Sequence, residues 1–289
     1  MIVVSWNGKF VEEKEIRISP YSRSFLYGEN IFNTFLLREN QIVDLKAHVQ
    51  RLNNNVKTLF GGKSIDQTKI MEDVKKLIVI NKLSDAIIRI SVFSNEEQRG
   101  LLHAKKYELN YLILIYPYPK KEKKVFSEGT SLGVVKSTRS GYSQLDESKV
   151  GAWYIPRIIY RNQAVQDGYD EMLLLSKEGF VAEATIANIF WIRKNVLYTP
   201  SKEVGLYPGI TAREVMKIAK KLGLKVVSGK FKLAHLKKAE EIFLSASLLC
   251  VIPVTRLMQQ QISGGKAGEI TSLIAEKYWE KKKIKNPYL

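Results

Sequence analysis

The sequence predicts a mixed α/β protein built from two domains, and three observations carry that reading. Short runs of β-branched and aromatic residues, bounded by turn residues, recur from one end of the chain to the other, as strands do. Between them lie longer stretches with apolar residues at three- and four-residue spacing, the mark of amphipathic helices. At 289 residues the chain suits two domains of about 150 residues each, and a stretch of prolines and lysines near its middle divides it.

Taken in order, Ile2–Trp6 and Lys9–Glu12 flank Asn7-Gly8, a pair suited to a tight primed turn, and read as a β-hairpin. Ile31–Leu37 and Gln41–Asp44, joined by Arg38-Glu39-Asn40, read as a second hairpin. Leu45–Phe60 carries Leu45, Val49, Leu52, Val56 and Leu59 on one helical face, and Asp66–Ile80 does the same with Ile70, Val74, Leu77 and Ile78. Ala86–Phe93 and Leu109–Tyr116 are strands by composition. Pro117 to Lys124 then combines two prolines with a charge run, which predicts domains at 1–119 and 127–289 with a linker at 120–126. Beyond it, Met172–Leu175 with Phe180–Ala184, and Asn188–Ile192 with Val196–Tyr198, read as two more hairpins. Thr211–Leu222 is a helix, Ile242–Leu244 and Val251–Leu257 are strands, and Ile270–Lys283 is a C-terminal helix.

Composition bounds the function. Hydrophobic residues at 45% and charged residues at 26% are globular proportions. A lone Cys250 gives no disulfide framework and no multi-cysteine zinc site, and points to a reducing cytoplasm. The N-terminal residues lack the basic and apolar pattern of a signal peptide, and no run is long enough to span a bilayer, so no membrane partner is expected. The net charge of +17 fits polyanions, anionic small molecules or a solvated lysine surface. Basic residues are spread evenly rather than interleaved with aromatics on one element, which argues against nucleic acid.

Leu206 to Glu214 is the most mechanistic local signal. Pro208-Gly209 makes a turn, and Thr211 with Glu214 reads as a capping box opening a helix whose free amides suit a phosphate. Arg51 and His48 share a turn of the helix after the second hairpin, while His103 and His235 sit in polar surroundings that predict exposure. No metal-ligand spacing, nucleophile elbow, Walker loop or dinucleotide fingerprint appears.

An ordered series of segments resembles the class IV aminotransferases, the fold-type IV pyridoxal 5′-phosphate (PLP) enzymes. That group includes branched-chain and D-amino-acid aminotransferases and aminodeoxychorismate lyase. The series comprises Phe25-Leu26-Tyr27-Gly28-Glu29-Asn30-Ile31-Phe32, His48 to Leu52, Lys149 with Tyr154, Gly168 to Glu171 and Val181 to Phe190. Thr199-Pro200, Leu206 to Arg213, Ser245-Ala246-Ser247 and Ile252-Pro253-Val254 complete it. The resemblance implies a small N-terminal α/β sandwich and a larger C-terminal domain with barrel-like β-structure. It implies a homodimer with PLP between the domains, and a ping-pong transfer of an amino group from an amino acid to a 2-oxo acid. Branched-chain substrates are favoured by the five-residue spacing from Lys149 to Tyr154.

The same resemblance assigns roles. Lys149 would form the Schiff base and shuttle the proton; Glu183 would face the pyridine nitrogen; Tyr154 would donate to the phenolic oxygen. Arg51, the amides of Ile210 and Thr211, and Ser247 would hold the phosphate, and Asn188 would orient Glu183 or its hairpin. Tyr27, Arg89 and Arg99 would meet substrate carboxylates. Asn33 stands where the family often has Glu, Trp153 where it often has Asn, and Ser247 where Thr is usual. The alternatives are a lyase that eliminates pyruvate from aminodeoxychorismate and a basic, non-catalytic binding protein on the same fold.

Overall fold

A computed structural model describes residues 2–95, 108–118, 128–136 and 148–286. The chain divides into two compact units, Met1–Pro119 with Ser148–Ile155, and Lys120–Glu147 with Pro156–Leu289. The expected linker at 120–126, with Arg99 and His103, lies outside the described residues.

The described part of the first unit holds a six-stranded antiparallel sheet in the order β2-β1-β6-β5-β3-β4. Its strands are β1 (Val3–Trp6), β2 (Lys9–Glu12), β3 (Asn30–Arg38), β4 (Gln41–Ile42), β5 (Ala86–Ser94) and β6 (Leu109–Pro117). Both predicted hairpins form, the first for the expected reason. Asn7 and Gly8 have φ of 51° and 86°, and Glu39 and Asn40 have 47° and 62°, the left-handed pairs that match strand twist. Short helix α1 (Arg23–Tyr27) precedes β3, and α2 (Leu45–Leu59) and α3 (Gln67–Asn81) follow the sheet's hairpin. Val49, Leu52 and Val56 of α2 and Ile70, Val74 and Leu77 of α3 are fully buried, so the apolar stripes face inward as their spacing requires. Asp66 caps α3 by accepting from the Lys69 amide at 3.0 Å.

The described second unit holds a nine-stranded mixed sheet that curls into a half-barrel, the barrel-like β-structure expected there. Its order is β12-β11-β10-β13-β14-β7-β8-β9, with β15 (Gln260–Gln261) on β14. The strands are β7 (Thr130–Lys136), β8 (Glu171–Leu175), β9 (Val181–Ala184), β10 (Asn188–Arg193), β11 (Val196–Pro200), β12 (Lys225–Gly229), β13 (Glu241–Ala246) and β14 (Cys250–Leu257). The helices are α4 (Tyr154–Gln166), which begins at the end of the first unit, α5 (Ile210–Lys221), α6 (Leu233–Leu236) and α7 (Glu269–Lys282). The core gathers Leu173, Val181, Ile189, Trp191, Leu244 and Leu257. No helix among the described residues is long and apolar enough to cross a membrane.

Sequence periodicity missed α4, β7 and β12. Helix α4 leaves Ile155, Ile158, Ile159 and Val165 exposed and buries only Ala164, so it has no inward stripe to detect. Two local expectations are also corrected. His235 is half-buried, not exposed: its Nδ1 accepts from the Trp191 indole at 3.2 Å within a cluster of Trp191, Tyr198 and Phe231. Burial, then Arg193 and Lys238, lowers the proton affinity of that imidazole. The capping box does not form, because Gly209 is the cap, Thr211 is buried inside the first turn, and Glu214 turns to Lys217 and Lys281.

Glu214 joins α5 to α7 through Lys281. Burial works to raise its carboxyl, but the bonds to Lys281 and Lys217 outweigh that and hold it at about 2, below the ordinary 4.5. Its stabilising contribution is therefore present above about pH 4.5 and lost as pH falls towards 2. Glu214→Gln is expected to destabilise the protein by about 1 kcal/mol at neutral pH. The melting temperatures of variant and wild type should converge as the pH is lowered; a gap independent of pH would contradict this origin.

Candidate active site

In the first unit, the segment around Lys149 runs beside the start of β3. The Phe32 amide donates to the Lys149 carbonyl at 3.0 Å, and Val150 bridges Ile31. The Ala152 amide donates to the Gly28 carbonyl at 3.3 Å. Gly28 is required there: its φ is 66°, and a Cβ would stand 2.9 Å from the Ala152 nitrogen. This backbone framework places Lys149 Nζ 5.9 Å from the Phe32 ring centroid and 6.0 Å from that of Tyr154. The Tyr154 ring, at the start of α4, lies 4.9 Å from Phe32. Tyr27, at the end of α1, is exposed, and Arg23 approaches its ring.

Arg89 projects from β5 with its guanidinium 3.6 Å over the Phe32 ring. Its Nε donates to Ser91 Oγ at 3.3 Å, and among the described residues no carboxylate pairs with it. Burial lowers its proton affinity, although Tyr116 and Tyr154 act the other way. Arg89 lines a cavity of about 230 Å³ with Ile18, Phe25, Asn30, Ser91 and Phe93. A half-buried cation at the wall of a mostly apolar cavity suits an anionic group on an otherwise apolar ligand.

Arg51, on α2, directs Nε at 3.0 Å and Nη2 at Asn33 Oδ1, and its Nη2 lies 3.4 Å from His48 Nδ1. Asn33 is fully buried and its Nδ2 has no partner among the described residues. A carboxylate at this position would neutralise Arg51; the amide orients the guanidinium and leaves its charge.

In the second unit, Glu183 sits on β9, where every residue is buried. Its two oxygens have different partners: Oε1 accepts from Arg157 Nη2 at 2.6 Å, and Oε2 accepts from the Tyr207 amide at 3.1 Å. Asn188 opens β10 and donates Nδ2 to the Tyr207 carbonyl at 2.8 Å. The backbone of Tyr207 thus links Asn188 to Glu183. Gly209 follows, and a Cβ there would stand 2.2 Å from Asn188 Oδ1. Helix α5 begins at Ile210 without a side-chain cap, so Ile210 and Thr211 occupy a first turn whose amides face an anion's natural position. Ser245, in register with Asn188, has a fully buried Oγ without a partner among the described residues, and Ser247 lies in the turn after β13.

Of the residues singled out from sequence, Lys149, Tyr154, Arg89, Tyr27 and Arg51 fall in the first unit, and Glu183, Asn188, Ile210, Thr211 and Ser247 in the second. Arg99 lies outside the described residues. Sequence reasoning missed Arg157. Its only signal was its position three residues after Tyr154, on a helix that periodicity did not reveal.

The sequence profile of the class IV aminotransferases matches residues 30–257. The chain is 30% identical to an aminodeoxychorismate lyase of Bacillus subtilis, over 97% of this chain and 94% of that protein. It is 29% identical to a putative branched-chain-amino-acid aminotransferase of Methanocaldococcus jannaschii, over 94% and 93% of the two chains. Its fold superposes on the branched-chain aminotransferase of the thermophilic archaeon Thermoproteus uzoniensis, solved with norvaline, with a TM-score of 0.89 and 26% identity, covering 100% of this chain and 97% of that one. The chain belongs to the class IV aminotransferase family.

Proposed function

We propose that this chain is a PLP-dependent transaminase that moves the amino group of an amino acid, branched-chain donors preferred, to a 2-oxo acid. The observation that carries the reading is the family match over residues 30–257, a range that contains Lys149, Tyr154, Glu183 and Thr211. Three features support a fit to the cofactor. Glu183 is a buried carboxylate with both oxygens anchored, suited to a ring N–H. Helix α5 opens on Gly209 with no side-chain cap, leaving amides for a phosphate. The buried Ser245 hydroxyl beside Asn188 has no partner among the described residues.

When bound, PLP supplies an electron sink that eases removal of the proton at the substrate Cα. The chain supplies the rest. Lys149 Nζ would hold the cofactor and would carry that proton. Glu183 would hold a proton at the ring nitrogen, with Asn188 fixing its loop, and the Tyr154 hydroxyl would donate to the phenolic oxygen. Arg51, the Ile210 and Thr211 amides and the Ser247 hydroxyl bind the phosphate. Tyr27 and Arg89, with Arg99, receive substrate carboxylates. Exposed Ile158, Ile159 and Val165 on α4 support assembly as a homodimer. The single buried cysteine suits the cytoplasm.

Arg89→Leu is expected to separate substrate classes. Loss of the only cation on the described wall of its cavity should raise KM for glutamate and 2-oxoglutarate at least about 10-fold. The KM for leucine should change little, because the cavity remains apolar. Equal losses for both classes would assign Arg89 to the shared α-carboxylate or to structure.

The function is tested by loading purified protein with PLP and screening donors against 2-oxoglutarate. Glutamate formation with branched-chain donors is expected; failure to take up PLP would overturn the reading. The lyase reading is favoured by one observation, the match to the Bacillus subtilis enzyme over nearly the whole chain. Pyruvate release from aminodeoxychorismate without an amino acceptor would select it.

A further inference from the structure

We propose that Arg157 is a positioning residue that shares the charge of Glu183 and thereby lowers the proton affinity of the cofactor's ring nitrogen. The proposal rests on the PLP reading and concerns a residue to which neither that reading nor the family resemblance gave a role.

The geometry is specific. Arg157 Nη2 donates to Glu183 Oε1 at 2.6 Å, while its Nη1 donates to the Thr185 carbonyl and, at 3.4 Å, to that of Ala184. One planar guanidinium therefore spans the carboxylate and the turn that follows β9, and its position is set by three acceptors at once. Both partners are sequestered, with side-chain exposures of 11% and 5%, so solvent screens the pair weakly. The Tyr207 amide holds the second oxygen, which leaves the carboxylate no rotation that would release Arg157.

A lone carboxylate beside a pyridine nitrogen presents a full negative charge to its N–H. A carboxylate bound to guanidinium presents a neutral pair, whose field at a third group is that of a dipole. In the protein interior, a unit charge a few ångströms away moves a neighbouring pKa by about one to two units. Glu183 can still accept the ring N–H, because each of its oxygens has a second lone pair. What Arg157 changes is how strongly the proton is held there. Its effect is exerted through Glu183, not by touching the reacting atoms.

The experiment uses holoenzyme reconstituted with PLP carrying nitrogen-15 in the ring, and follows the nitrogen resonance against pH. Arg157→Gln and Arg157→Met remove the charge; Arg157→Lys keeps it. The midpoint of ring-nitrogen protonation is expected to rise by about one pH unit in the Gln and Met variants and to stay near wild type in the Lys variant. Equal midpoints in all four proteins would make Arg157 a structural clamp on the β9 turn and overturn the proposal. So would a Lys variant that folds when neither neutral variant does. A wild-type protein that binds no PLP defeats the transaminase reading itself, and is seen before any Arg157 variant is made.

Discussion

Replacing Lys149 by alanine is expected to abolish transamination, with kcat falling by at least about 10⁴-fold, while the protein still folds and retains noncovalently held PLP. The separation follows from which atoms do what. The segment is held to β3 by its backbone, through the Phe32 amide on the Lys149 carbonyl and the Val150–Ile31 bridge, and alanine keeps both. The phosphate contacts proposed for Arg51 and for the start of α5 also survive the change. What is lost is the primary amine that lies 5.9 Å from the Phe32 ring centroid and 6.0 Å from that of Tyr154. Borohydride should then no longer fix the cofactor to the chain, whereas in wild type it should do so at Lys149. Circular dichroism and melting temperature should remain close to wild type. Residual turnover within 10-fold of wild type would show that another amine carries the chemistry.

Much of the scaffold could be read from the sequence because its signals are local. Asn7-Gly8 sets a turn by its own backbone preference, and the stripes of α2 and α3 are one-sided because these helices cover a sheet and meet water on the other face. Helix α4 was not readable, since its isoleucines face outward and no periodicity separates them from the polar positions. The site was legible only in part and for a different reason. Among 46 basic residues nothing intrinsic marks Lys149; its place in the ordered motif series does. The Thr211 helix start was found by its turn chemistry, yet the predicted cap was wrong, because Gly209 caps the helix two residues earlier and Glu214 finds two lysines. Arg157 could not be found, because its partner is twenty-six positions away and only tertiary packing joins them.

Glu183→Gln is expected to lower kcat on the order of 10²- to 10³-fold, to weaken cofactor binding far less, and to destabilise the protein by about 3 kcal/mol. The stability loss has two sources. A neutral side chain leaves the Arg157 guanidinium sequestered without its counter-charge. The amide also has only one acceptor oxygen for two fixed donors, so its NH2 must face either Arg157 or the Tyr207 amide. The rate loss has a separate source, since glutamine carries no charge to hold the proton on the ring nitrogen. A second substitution divides the two effects. Adding Arg157→Met removes the unpaired cation, and the double variant should regain most of the lost stability, while its kcat recovers by about 10-fold at most, because the cation no longer opposes the proton on the ring nitrogen but no carboxylate holds it. Thermal or denaturant unfolding and single-turnover kinetics on the three proteins give both quantities. Recovery of rate to the wild-type level together with stability would mean that Glu183 acts only by holding the loop, and that the ring nitrogen does not depend on it.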